Sequence, residues 1–274
     1  MESLPAERKA LLFTAGGIRL ALRLSQVLEI VATPHPSREI AFRGAALHAL
    51  PVAAALGRPA GPARFALVTE ANPPLALQVD LVHRIVDLAQ AEVFQLPAGT
   101  ILPVPPPFLG ALVSEGAIAL ELAVATLGPL PAKPAFAHSV PPPELDAPRT
   151  RELHFVRGRR TFAVPLHILA RVLEAPEVCP VPLAPPAHRG LLYHGRAIHP
   201  VIDMEVLYGG QASEHAGKAL LLDAGANAIA VLADRILPAD DRGEGVCRPS
   251  WDALFASPEE QGRNAPKTAS NLDK

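Results

Sequence analysis

Apolar and polar positions alternate along Leu11–Val31, LLFTAGGIRLALRLSQVLEIV. Ile18, Leu20, Leu22 and Leu24 point to one side, and Arg19, Ala21 and Arg23 to the other. A period of two is that of a half-buried β-strand. Gly16-Gly17 separates this run from Leu11-Leu12-Phe13, so the pattern predicts a hairpin turning on two glycines. A polar break at Ser25-Gln26 then leads into a further short apolar run, Val27–Val31.

The same pattern recurs at Leu153–Leu173, LHFVRGRRTFAVPLHILARVL, without a gap at an offset of 142 (155 − 13, for Phe155 and Phe13). Gly158 falls on Gly16, Phe162, Val164 and Leu166 fall on Leu20, Leu22 and Leu24, and Leu169 falls on Val27. Further landmarks follow in one order in both halves. Phe42-Arg43-Gly44 answers to Tyr193-His194-Gly195, and each is followed by an apolar segment closing on Gly57 or Gly209. Ala66-Leu67-Val68 answers to Leu220-Leu221-Leu222, and Leu75–Val82 to Ile229–Ile236, each of the last pair carrying one Asp, Asp80 or Asp234. A repeat this long exceeds solenoid periods and indicates two copies of one domain.

Short strands at intervals of about ten residues, with turns between them, predict an all-β barrel or sandwich. The first domain is expected at 9–128, a proline-rich linker at 129–149, the second domain at 150–256, and a disordered polar tail at 257–274. The second copy carries an insertion, Ala175–Ala187, and runs short after Asp234. Its strand edges should be left open, and Ile229 and Val231 under-covered, unless something closes them. Val246, Trp251, Leu254 and Phe255 are apolar enough to fold back in part, with Trp251 as a plug over the open end.

Composition removes several classes of function. Net charge is −2 and basic residues are not clustered, against nucleic-acid binding. No apolar run approaches the ~20 residues that span a bilayer, and the opening MESLPAERKALLF lacks the pattern of a secretory signal. Two cysteines, Cys179 and Cys247, give neither a disulfide framework nor a CxxC pair, so a cytoplasmic location is expected. His188, His194 and His199 near Asp203 raise a metal site, but their spacing splits them between strand faces and no cysteine joins them. No catalytic triad order or phosphate-binding glycine loop appears. Asp80 and Asp234 suit turn caps at strand ends.

The order of these landmarks resembles the CheW family of bacterial chemotaxis coupling proteins. The residues that carry the resemblance are Phe42-Arg43-Gly44, Leu56-Gly57, Val79-Asp80-Leu81-Val82 and Phe108-Leu109-Gly110 in the first copy. In the second they are Pro185-Pro186, Arg189-Gly190-Leu191-Leu192, His194-Gly195, Pro200-Val201-Ile202-Asp203-Met204 and Asp234-Arg235-Ile236. The resemblance implies tandem CheW-like domains, each built from small five-stranded SH3-like β-barrels, the second domain incomplete. It implies a non-enzymatic adaptor of bacterial signalling or motility, without cofactor, metal or small-molecule substrate, that joins chemoreceptors to a CheA-type histidine kinase. The alternative is a diverged scaffold outside the receptor array that holds other signalling, polarity or motility proteins. By resemblance Arg43 and Gly44 lie on the partner-facing surface, Leu22 and Val27 on the strands bordering it, and His194, Gly195 and Asp203 are the counterparts in the second copy. Two departures stand out: the first copy has His48-Ala49-Leu50-Pro51-Val52 where the second has Pro200–Met204, and His194 stands in place of the arginine.

Overall fold

The alternation at Leu11–Arg23 folds as an antiparallel hairpin, β1 (Lys9–Ala15) and β2 (Ile18–Arg23), with Ala15 paired to Ile18. Gly16 and Gly17 turn at φ of 57° and 76°, the mirror-type geometry that fits the twist of two paired strands. This is a computed structural model, and it describes residues 8–97, 100, 102–127, 144–145, 151–213, 217–225, 227–238 and 245–255. The span read as a linker, apart from 144–145, and the expected tail at 257–274 lie outside the described residues.

Ser25 and Gln26 fall in a 3-10 turn that hands the chain to β3 (Val27–Ala32). Then come β4 (Glu39–Phe42), β5 (Ala45–Pro51), the helical turn α1 (Val52–Ala55), β6 (Phe65–Thr69), β7 (Leu75–Val79) and β8 (Leu81–Asp87). β9 (Glu92–Phe94), β10 (Phe108–Ser114) and β11 (Ala117–Leu122) complete the first series. The second series is β12 (Glu144–Leu145), β13 (Glu152–Arg157), β14 (Arg160–Pro165), β15 (Leu169–Glu174), β16 (Val178–Cys179), β17 (His188–His194), β18 (Ala197–Ile202) and α2 (Met204–Leu207). It ends with β19 (Lys218–Asp223), β20 (Ala228–Ala233), β21 (Arg235–Ile236), β22 (Cys247–Arg248) and α3 (Trp251–Phe255). The chain is all-β with short helical turns. β14 and β15 start and end 142 residues after β2 and β3 (160 − 18 and 169 − 27), the offset read from the sequence.

By contact the chain divides into two compact units, 1–137 with 177–201, and 138–176 with 202–274. In the first, one sheet runs β8-β1-β2-β11-β10-β9 and a second β3-β6-β7-β5-β4. β2 and β11 are parallel, with Leu20 opposite Leu120, and so are β5 and β7. Phe13, Leu20, Leu22 and Leu120 share one core with Leu67 and Leu77. Val181, Leu191 and Ile198, from the stretch the repeat assigns to the second copy, belong to that same core. The other side of the opening hairpin is also covered: Ala21 packs with Ala10, Leu12, Val86 and Leu112.

The second unit has the sheet β12-β22-β14-β13-β21. β22 lies parallel to β14, Phe162 opposite Cys247, as β11 lies beside β2, and β12 pairs with β22 from within the span read as linker. Trp251 folds back as the sequence suggests: it is buried, and its indole N–H donates to the Ala163 carbonyl at 3.1 Å. Ile229 and Val231, expected to be under-covered, are 4% and 0% exposed, because Trp251 and Phe255 join Phe155, Phe162, Leu220 and Leu222 in their core.

Inside this unit Arg157 is 0% exposed. Its guanidinium donates to both Asp203 oxygens (3.2 and 2.6 Å), to Asp234 (2.6 Å) and to the Ser213 carbonyl (3.0 Å). Burial pulls the guanidinium pKa down, but the hydrogen bonds and charges of Asp203 and Asp234 outweigh it and the net shift is upward. Asp234 also accepts from Gly158 N–H, and Asp203 caps α2 through Glu205 N–H. Asp80 repeats the first of these contacts in the first unit by accepting from Gly16 N–H. Removing one member of a buried ion group strands its partners' charge in a dry interior, at a cost of about 3–5 kcal/mol. Arg157→Ala should therefore lower the stability of the second unit by about that amount in guanidinium denaturation. Arg157→Ala with Asp203→Asn should recover part of the loss, since the orphaned carboxylate is gone and the cap acceptor kept.

Candidate interaction surface

Arg43 and Gly44 form the two-residue turn between β4 and β5, closed by the Phe42–Ala45 pair. Both sit in the left-handed region, at φ of 49° and 82°. Nothing lies within 4 Å of a Cβ built on Gly44, so glycine is favoured there by backbone conformation and not by crowding. A left-handed arginine costs about 1–2 kcal/mol, and the geometry partly offsets it. The Arg43 guanidinium carbon lies 4.9 Å from the centre of the Phe42 ring, within cation–π range. Among the described residues no carboxylate pairs with the guanidinium. An exposed, stacked arginine with free donors suits bidentate recognition of a carboxylate.

The corresponding turn of the second series lies one residue later than the sequence pairing. Both β5 and β18, and α1 and α2, stand 152 residues apart (197 − 45 and 204 − 52). His194 is therefore the last residue of β17, in the place of Phe42. The turn residues are Gly195 and Arg196, at φ of 60° and 63°. His194 does not replace the arginine: Gly195 takes that position and Arg196 takes the glycine's. Arg196 is 84% exposed, 3.9 Å from Glu92, and the His194 carbonyl is 3.3 Å from His199 Nε2.

Two of the residues read as partner contacts are inside. Leu22 is 0% exposed in the core of the first unit, and Asp203 is 0% exposed between Arg157 and the N-terminus of α2. Their side chains are used up by packing and by ion pairing, which corrects their reading as contact residues. Val27 is half-buried at the start of β3. β3 and β4 stand at the two ends of their sheet order. Exposed apolar side chains do occur along β3, where Leu28 and Ile30 are each 40% exposed.

A half-open groove of about 350 Å³ in the first unit is lined by Thr14, Arg19, His83, Glu177, Cys179 and Tyr193, among others. Thr14 Oγ1 and His83 Nε2 are 2.6 Å apart, and the Tyr193 hydroxyl donates to Glu92 at 2.9 Å. Burial pushes the Cys179 thiol up to about 11, which keeps it protonated at neutral pH. Cys179 thus offers the groove no thiolate. Among the described residues no group of three His, Cys, Asp or Glu could hold a metal ion, and no helix is long and apolar enough to cross a membrane. His188, one of the three histidines, is buried, and among the described residues neither ring nitrogen has a hydrogen-bond partner.

The described residues thus define strand-built units whose exposed chemistry lies on turns and sheet edges. The family model for the CheW-like domain matches residues 152–244. A structure search matches the scaffolding protein TtCheW from Thermoanaerobacter tengcongensis at 13% identity and a TM-score of 0.34, covering 40% of this chain and 95% of that one. A search of curated proteins finds no match.

Burial lowers the pKa of His188 from 6.5 to about 4. The folded state therefore holds it neutral while the unfolded chain takes up a proton below pH 6.5. Its contribution to stability is complete above that pH and is lost as pH falls toward 4, about 3 kcal/mol over the window. A pH series of denaturation midpoints should show this acid-side slope, and His188→Leu should flatten it.

Proposed function

We propose that this chain is a non-enzymatic adaptor that joins chemoreceptor tips to a CheA-type histidine kinase through protein–protein contacts. The observation that carries the reading is the CheW-like domain over residues 152–244. The first series of strands supports it by repeating the hairpin, the parallel closing pair and the glycine-bearing turn of the second. The Arg43 turn supplies a cation with unused donors where a partner's carboxylate could dock. A second reading, a scaffold outside the receptor array, is favoured by the second turn, where glycine and arginine exchange places as Gly195-Arg196.

Immobilised chain should capture receptor cytoplasmic fragments and the kinase regulatory domain from purified mixtures. Failure with both, alongside capture of other signalling or motility proteins from cells, would favour the second reading and overturn the first. Arg43→Glu should weaken capture about tenfold, ~1.4 kcal/mol, by setting like charge against the partner's carboxylate. Its thermal melt should be unchanged, because the side chain is solvent-facing. Equal capture by both forms would remove Arg43 from the contact surface.

A further inference from the structure

We propose that β3 and β15 join copies of this chain head to tail, the acidic edge of one copy meeting the basic edge of the next. Each strand stands at the end of its sheet order, β3 beside β6 and β15 beside β19. At the offset of 142 the two edges superpose residue by residue, as Val27 on Leu169 (169 − 27). They share an irregularity: the register shifts between Val27 and Glu29 in one and between Leu169 and Arg171 in the other. The two edges therefore present the same backbone shape with different chemistry.

The difference is a charge reversal at one matched position. Glu29 is exposed at the middle of β3, and Arg171 is exposed at the same place on β15. Among the described residues neither side chain has an ion-pair or hydrogen-bond partner. Glu174, the other charge on β15, is already engaged by Lys218. Apolar surface flanks the unpaired charges. Leu28 and Ile30 are each 40% exposed on β3, while on β15 Ala170 is exposed and Val172 and Leu173 are half-buried.

Free strand edges are templates for pairing with another chain. Charge decides which pairing is chosen. With matched positions opposed, β3 against β3 would set Glu29 against Glu29, and β15 against β15 would set Arg171 against Arg171; like charges directly opposite destabilise a strand pair. The mixed pair sets Glu29 against Arg171 and brings Leu28 and Ile30 against Ala170 and Val172. The surface that fits β3 is thus β15 of a second copy. Such a contact is heterologous, so every copy keeps one acidic and one basic edge to offer, and association continues until the rotation closes a ring.

The test is the mass of the full chain by light scattering across a concentration series, at low and high salt. The average mass should rise with concentration and fall with added salt, as an exposed ion pair at the contact requires. Glu29→Arg and Arg171→Glu should each raise the apparent dissociation constant about tenfold. Carrying both changes in one chain should restore association, because the pair is only exchanged. Mixing the two single variants gives a sharper readout: the Glu29→Arg chain has two basic edges and the Arg171→Glu chain two acidic ones, so they should bind each other better than themselves. Circular dichroism should be the same for all forms, both positions being exposed. A monomer at every concentration, or association indifferent to the reversals, would overturn the proposal.

Discussion

The second unit is organised around one guanidinium. Arg157 occupies an inward position of β13, two residues after Phe155, where the strand pattern calls for an apolar side chain. It is tolerated because both oxygens of Asp203, one of Asp234 and the Ser213 carbonyl surround it. The two carboxylates bring distant chain segments together. Asp203 joins the end of β18 to the first turn of α2, and Asp234 joins the end of β20 to the β13–β14 turn through Gly158 N–H. A second pair, Arg160 with Glu205 at 2.8 Å, lies beside the first, and a Cβ on Gly158 or Gly210 would run into the Glu205 carboxyl.

The first unit builds the same backbone without those charges. Ala15 stands at the place of Arg157, Ile18 at that of Arg160, Pro51 at that of Asp203 and Ala53 at that of Glu205, while Asp80 keeps the turn-capping contact of Asp234. Four positions change together from ionic to apolar. This fits the general finding that a buried ion group and a packed apolar cluster are near-equivalent solutions, whereas a half-replaced one is not. The acid-bearing segment of the second copy and its acid-free counterpart, His48–Val52, are thus two closures of one strand plan.

What the sequence made legible follows from period and spacing. The opening hairpin, its repeat, the edges of β14 and β15 and the return of Trp251 all rest on local alternation and on apolar residues that have nowhere else to go. The β12 strand was not legible, because two residues in a proline-rich stretch carry no periodicity and their pairing with β22 is set by distant chain. The His194 register was missed by one residue because Tyr193-His194-Gly195 and His194-Gly195-Arg196 both end a strand in a glycine-bearing turn. Only the backbone shows that Gly195 and Arg196 are the two left-handed residues. Leu22 and Asp203 were misplaced for opposite reasons. Leu22 lies in the core, where its inward parity in β2 puts it, and Asp203 is buried because it meets Arg157, a charge at inward parity in β13. An arginine at inward parity in a strand is a signal that a buried acid must exist elsewhere in the chain.

How far each arginine is satisfied separates structure from function across the described residues. Arg157 has its donors filled and is fixed. Arg23 is partly filled, making a two-pronged contact with the buried Glu121 at 2.5 and 3.1 Å across the parallel β2–β11 pair. Arg43 stacks on its own neighbour and keeps its donors, and Arg171 has no partner at all among the described residues. Desolvating a guanidinium is worthwhile within the fold only when acids meet it, so those that remain unmet are held at the surface. There they are available to another molecule at little cost to stability. The opposite charges at the matched edges give the chain two distinguishable faces. A duplicated fold with identical edges could only pair like with like; reversing one charge gives its contacts a direction.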